Sequence, residues 1–189
     1  MNQQSFGGIK MLCISEIKNT PPKVFENELR RMVYEVLGDL NIPYQRVDTD
    51  EVITMEECLQ INEKMSMDMV KTLFLCNRQQ TEYYLFITKG NKPFRSKDFS
   101  SALGISRVSF APAEKMEEML GTKIGAATVF GLLLDTANLI QVVFDKDVMS
   151  NEWYGCSDGV TTGYMKLKTE HIVRDFLRYT KHEAKFIEV

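Results

Sequence analysis

Metal-binding and disulfide chemistry are sparsely supplied in this chain. It carries four cysteines, Cys13, Cys58, Cys76 and Cys156, and two histidines, His171 and His182, in 189 residues. No two cysteines form a C-x-x-C pair, which excludes the usual disulfide framework and zinc ligand sets. The thiols read as reduced, and neither a metal nor another cofactor is implied. No run approaches the roughly 20 apolar residues of a membrane span. The opening MNQQSFGGIKMLCISEIK lacks the basic, apolar and small-residue succession of a secretory signal. These absences lead to the expectation of a cytoplasmic protein with no membrane partner. Excess positive charge is also missing: 23 Lys and Arg against 26 Asp and Glu give a net charge of −3. That argues against a protein that coats DNA or RNA by charge alone and leaves room for a local basic patch. There is no P-loop, no G-x-G-x-x-G after a strand, no H-E-x-x-H and no serine elbow between a strand and a helix.

What remains is an ordinary globular composition, 44% hydrophobic and 26% charged, over the length of one domain. Helical spacing of Phe25, Leu29, Met32, Val33, Val36, Leu37 and Leu40 predicts a helix over 23–40, after Pro21 and Pro22. YQRVDTD alternates like an edge strand. Thr54 to Glu57 form a capping box ahead of a short helix through about Ile61. VKTLFLCN and TEYYLFIT, joined by NRQQ, read as a β-hairpin. A helix over Ser96–Leu103 should close at Gly104, and Pro112 and Gly121 bracket another. LIQVVFD is a strand, WYGCSDGVTTG an open polar loop and YMKLK a strand. Thr169 should cap a last helix through about Tyr179, and HEAKFIEV ends the chain as a strand. The expected fold class is α/β with α+β character: one domain with a mixed, largely antiparallel sheet surrounded by short helices. Residues 1–22 read as an N-terminal extension, as an extra strand or a packed arm, and 23–189 as the domain.

Four features rise above this background. Lys71 shares a strand face with Leu73 and Leu75 at the start of an apolar strand, where it either snorkels or meets a ligand. The segment Gly125 to Gly131 is glycine-punctuated, either for turn geometry or to bring free N–H donors to a ligand. Gly155-Cys156-Ser157-Asp158-Gly159 is a small polar stretch that either lines a pocket or forms a surface turn. GNKPFRSK gathers Lys89, Lys92, Arg95 and Lys97 without an acid, a candidate grip on a phosphate backbone or a solvated run. A Cys156–His171 nucleophilic pair stays open, and Glu117 and Glu118 read as a solvated helix face.

In order and spacing, NIPYQRVDTDEVITMEEC, KTLFLCNRQQTEYYLFIT, LGISRVSFAPAEKMEEMLGTKIGAATVFGLLLD, LIQVVFDKDV and HEAKFIEV resemble one known family. It is the prolyl-tRNA-synthetase-associated, trans-editing aminoacyl-tRNA deacylases, and among them the free-standing alanyl-tRNA(Pro) deacylases are nearest. The resemblance implies a hydrolase whose substrate is the acceptor end of a mischarged tRNA, with prolyl-tRNA synthetase as a possible associate. It implies that Lys71 binds the tRNA 3′ end, and that the backbone near Gly131, with Phe130 and Leu132, polarises the ester carbonyl. Thr72, Cys156, Ser157 and Asp158 would shape the amino-acid pocket. Three positions depart from the alanine-specific pattern. Thr72 stands where asparagine is usual, Cys156 aligns with the loop histidine, and Val129 replaces a common proline. Gly155-Cys156-Ser157 also resembles a stretch of the cysteinyl-tRNA(Pro) deacylases. The resemblance therefore implies a small amino acid without fixing alanine. A binding module of the same fold, without hydrolysis, is the other reading left open.

Overall fold

The computed structural model describes residues 11–189, so the first ten residues of the expected extension lie outside the described residues. Helix α1 spans Glu28–Asp39 and starts later than the apolar period predicts, because Asn27 caps it: its side chain accepts from the Arg30 N–H at 2.8 Å. Strand β1 (Tyr44–Asp48) follows. Residues of the expected extension lie against it as a packed arm, with Lys18 and Arg46 exchanging backbone hydrogen bonds of 2.9 and 2.7 Å. The Thr54–Glu57 box forms, with Thr54 N–H donating to the Glu57 carboxylate and Glu57 N–H to the Thr54 hydroxyl. Regular helix α2 nevertheless runs over Cys58–Met65, beyond the expected end.

The hairpin β2 (Val70–Cys76) and β3 (Tyr83–Lys89) pairs antiparallel in unbroken register from Val70↔Lys89 to Cys76↔Tyr83. Helix α3 (Ser96–Leu103) closes on Gly104 at φ +67°, and α4 (Ala113–Leu120) on Gly121 at φ +64°, both as the glycine positions predict. Between them lies the short strand β4 (Ser109–Phe110). A 3₁₀ turn over Val129–Leu133 leads to β5 (Ile140–Asp145). After β6 (Trp153–Ser157) and β7 (Gly163–Lys168), the last helix contains a π-helical turn, His171–Phe176, before its α-helical end α5 (Leu177–Tyr179). The Thr169 hydroxyl donates to the Asn151 carbonyl at 2.7 Å instead of capping that helix. Strand β8 is Ala184–Ile187.

Two sheets result. One is antiparallel, in the order β1-β7-β6; the other is mixed, in the order β4-β2-β3-β5-β8, with β3, β5 and β8 parallel. The alternation along β2 divides the cores: Val70, Phe74 and Cys76 join the main core under α1, while Leu73 and Leu75 join a second one with Phe99 of α3. A third lies between the small sheet and α2, around Val47, Ile61, Met65 and Tyr164.

One expectation fails here. The first half of the stretch read as an open polar loop is strand β6, and Tyr154 and Cys156 are buried within it. Gly155 is required by a close approach, since a Cβ there would stand 2.7 Å from the Met67 sulfur and 3.0 Å from the Asp68 carbonyl oxygen. This contact, with the parallel bridge Met69↔Gly155, joins the two sheets. The β6–β7 turn is pinned from the other side. Asp158, fully buried, accepts from the Arg30 Nε at 2.9 Å and from the Tyr34 hydroxyl, and Arg30 itself is only 2% exposed.

Candidate active site

Strand β2 is paired along one edge with β3, but its other edge is held only at its ends. Near the start stands the Met69↔Gly155 bridge; near the finish, β4 pairs with Leu75 and Cys76, and the Ala111 N–H donates to the Phe74 carbonyl at 2.9 Å. The interval between them opens onto a cavity of about 450 Å³. It is lined by Lys71, Thr72, Leu73 and Phe74 of β2 together with Cys156 and Ser157 of β6 and Tyr164 of β7. Three lining residues, Ile53, Phe110 and Ile124, are 55%, 62% and 64% exposed and form an apolar rim.

Lys71 is the charged group of this lining. Its ammonium donates to the Lys92 carbonyl at 2.7 Å, and among the described residues no carboxylate pairs with it. Burial without a counter-charge lowers its pKa from the ordinary lysine value. The remaining polar lining is neutral. Burial pushes the Cys156 thiol up, against a smaller opposite pull from the Thr128 hydroxyl, so Cys156 is a thiol and not a thiolate at neutral pH. Tyr154, beneath Thr72, is likewise pushed up by burial and stays a neutral phenol.

The structure thus brings Lys71, Thr72, Cys156 and Ser157 together around one cavity, from segments more than eighty residues apart. Other expected site residues lie elsewhere. Gly131, Phe130 and Leu132 are buried in the main core and do not line the cavity. The Gly131 N–H donates to the Thr128 carbonyl at 3.1 Å within the 3₁₀ turn, so it is not free to polarise an ester. Its lack of a side chain serves packing: a Cβ would meet Leu120 Cβ and Cδ2 at 2.9 Å. Gly125, which opens the same segment, does line the cavity, at φ +91°. Asp158 faces α1 instead of the cavity, because it neutralises Arg30.

Residues 155–159 have the spacing G-x-S-x-G, but this is not a nucleophile elbow. The stretch leads from a strand into a turn and another strand, and the Ser157 hydroxyl donates to the Val160 carbonyl at 2.8 Å while accepting from the Gly159 N–H. The Cys156–His171 pairing also fails: the His171 Nδ1 is 2.7 Å from the Asp175 carboxylate, and His171 does not line the cavity. Among the described residues no group of three His, Cys, Asp or Glu side chains could hold a metal ion.

The basic run is split by its partners. Lys92 bonds Asp145 and Asp147, each at 2.8 Å, leaving it little charge to offer. Arg95 and Lys97 are exposed, Lys89 is half-buried, and none of the four lines the cavity. The run still adjoins the mouth through the Lys92 carbonyl on Lys71. Sequence reasoning missed the rim residues Ile53, Phe110 and Ile124: Ile53 and Ile124 lie between elements and Phe110 ends a two-residue strand, so none carries a periodic signal.

Comparison with known proteins follows the same lines. The Prolyl-tRNA editing protein ProX of Acetoanaerobium sticklandii is 29% identical over 122 residues, 65% of this chain and 74% of that protein. The Prolyl-tRNA synthetase associated domain-containing protein 1 of Danio rerio is 26% identical over 157 residues, 82% of this chain and 84% of its own. The crystal structure of a candidate trans-editing enzyme for prolyl tRNA synthetase shares the fold with a TM-score of 0.59 at 14% identity, covering 87% of this chain and 99% of that one. The profile of the aminoacyl-tRNA editing domain matches residues 49–174, a span that holds every cavity residue named above, and the chain belongs to that family.

Proposed function

We propose that this protein is a trans-editing hydrolase that removes a small, wrongly attached amino acid from tRNA, with tRNA(Pro) as acceptor. The observation that carries the reading is the unpaired Lys71 ammonium in a cavity whose other lining is apolar or neutral. Such a site suits a substrate that is anionic at one end and bears a small, uncharged side chain at the other, as the 3′ end of an aminoacyl-tRNA is. The compact ammonium would hold a phosphate or ribose oxygen of the terminal adenosine. Thr72, Cys156 and Ser157 would bound the space for the amino-acid side chain. A synthetase pocket built for proline rejects smaller amino acids poorly, and a second site that admits only small ones corrects it.

The cavity supplies no activated nucleophile, since the Cys156 thiol is held neutral and the Ser157 hydroxyl is engaged in the turn. An aminoacyl ester is already reactive, so positioning and charge stabilisation can suffice, with water attacking under guidance from a substrate ribose hydroxyl. Residues 23–189 would form the editing domain of a cytoplasmic protein that meets mischarged tRNA through its acceptor end and works beside prolyl-tRNA synthetase. Hydrolysis of alanyl-, cysteinyl-, seryl- and 2-aminobutyryl-tRNA(Pro), with prolyl-tRNA(Pro) as control, tests this reading. Clearance of at least one small amino acid with prolyl spared is expected. No clearance by the folded protein would leave a tRNA- or synthetase-binding module, a reading that Thr72 and Cys156 at the asparagine and histidine positions favour.

A further inference from the structure

The gap in the β2 edge has a defined hydrogen-bonding register. Along a strand paired without a bulge, successive residues turn their N–H and C=O to opposite edges. The Phe74 carbonyl accepts from Ala111 on the β4 side, so Phe74 points away from β3. Thr72, two residues earlier, points the same way, while Lys71 and Leu73 bond to β3. Among the described residues nothing meets the Thr72 N–H and C=O on that side. The register Leu75↔Phe110 and Cys76↔Ser109 would place residue 113 opposite Thr72. The chain leaves the sheet at that point: Pro112 caps α4, and Ala113 is its first residue. The slot opposite Thr72 is therefore open to the cavity, which Thr72 itself lines.

We propose that the aminoacyl group occupies this slot as a one-residue β-strand, in a hydrogen-bonded pair with Thr72. The inference rests on the editing function above and assigns its carbonyl-polarising group. An α-amino ester has the N–Cα–C=O unit of a strand residue, so it can exchange both bonds with Thr72. Its ammonium donates to the Thr72 carbonyl, and its ester carbonyl accepts from the Thr72 N–H. Only an antiparallel approach gives this reciprocal pair. That approach sends the ester oxygen and the ribose toward the start of β2, beside Lys71, and the amino group toward β4. In hydrolysis the water oxygen bonds to the carbonyl carbon and the carbonyl electron pair moves to oxygen, where the Thr72 N–H holds it. Collapse breaks the bond to the ribose oxygen, which takes the proton the water gives up. Recognition through the backbone is common to all α-amino esters, and the side chains around the slot then select among them.

The test replaces the Thr72 amide with an ester by incorporating the α-hydroxy analogue of threonine, which removes one N–H that no ladder bond uses. Thr72→Pro is the genetically encoded counterpart, since proline is tolerated where a strand N–H faces an open edge. Both are compared with Thr72→Val across the aminoacyl panel. The backbone variants are expected to slow clearance of every amino acid alike, by about 10²–10³-fold, whereas Thr72→Val changes the ranking among them. Clearance at the wild-type rate by the ester variant overturns the proposal, as does an equal, uniform loss in Thr72→Val. If the wild type clears nothing, the editing function fails on its own. Binding of a non-hydrolysable 3′-aminoacylamino-adenosine then decides the pairing: the ester variant should bind about three- to tenfold more weakly, the loss of one neutral amide–carbonyl bond, and equal affinity overturns it.

Discussion

Substituting alanine for Gly131 separates packing from chemistry. The added Cβ would lie 2.9 Å from two Leu120 carbons and 3.1 Å from the Leu120 carbonyl oxygen. One of those carbons and the oxygen belong to or adjoin the α4 backbone, so a side-chain rotation cannot relieve the contact. Leu120 is itself fully buried. Overpacking of this kind costs about 1–3 kcal/mol. For a chain of this size each kcal/mol lowers the melting temperature by about 2–4 °C, so Gly131→Ala should melt about 2–12 °C below the wild type. Because the Gly131 N–H is already bonded to Thr128, single-turnover deacylation measured well below the transition should stay within a few-fold of normal. An unchanged melting temperature with hydrolysis lost would refute this reasoning and put Gly131 at the reacting atoms.

Other perturbations read other parts of the account. Arg30→Ala strands the buried Asp158 carboxylate and should cost about 3–5 kcal/mol in urea unfolding; a loss below about 1 kcal/mol would show that α1 is not held to the β6–β7 turn by this pair. Because burial holds Cys156 above the ordinary thiol range, the rate should show no thiol ionisation between about pH 6 and 9. A thiol-dependent rise, abolished in Cys156→Ala, would reinstate a cysteine nucleophile. Lys71 has its pKa lowered, so its cation disappears as pH rises before that of an exposed lysine does. The alkaline loss of activity should accordingly begin at lower pH than an exposed lysine allows, and a flat alkaline limb would argue against a role for that charge. Arg95→Glu and Lys97→Glu should each weaken tRNA binding and its salt dependence by about one phosphate contact, while Lys92→Glu chiefly destabilises the fold by facing Asp145. Equal effects on binding from all three would return the whole basic run to the interface.

Local signals made much of the fold legible. Gly104 and Gly121 end helices because each takes the left-handed conformation; the apolar run VKTLFLC marked the strand, and the two-residue period of a strand set the face on which Lys71 emerges. Strand β6 was hidden by its glycine and serine, which with Asp158 and Gly159 just beyond suggest a turn, while the Met67 and Asp68 contacts that demand Gly155 come from a segment nearly ninety residues earlier. The same distance conceals partners. Nothing near Asp158 announces Arg30, and nothing in GNKPFRSK announces Asp145 and Asp147, so a pocket residue and a phosphate contact were both anticipated where ion pairs stand. The slot opposite Thr72 is a missing strand position, set by where β4 turns into α4, and it leaves no mark on the residues that border it.

The most direct test of the central claim is single-turnover deacylation of the best-cleared mischarged tRNA(Pro) by the wild type and by Lys71→Ala. The account predicts a loss of about a hundredfold or more in Lys71→Ala, with the melting temperature little changed, because Lys71 pairs with no carboxylate that its removal would strand. An undiminished rate in Lys71→Ala would contradict it.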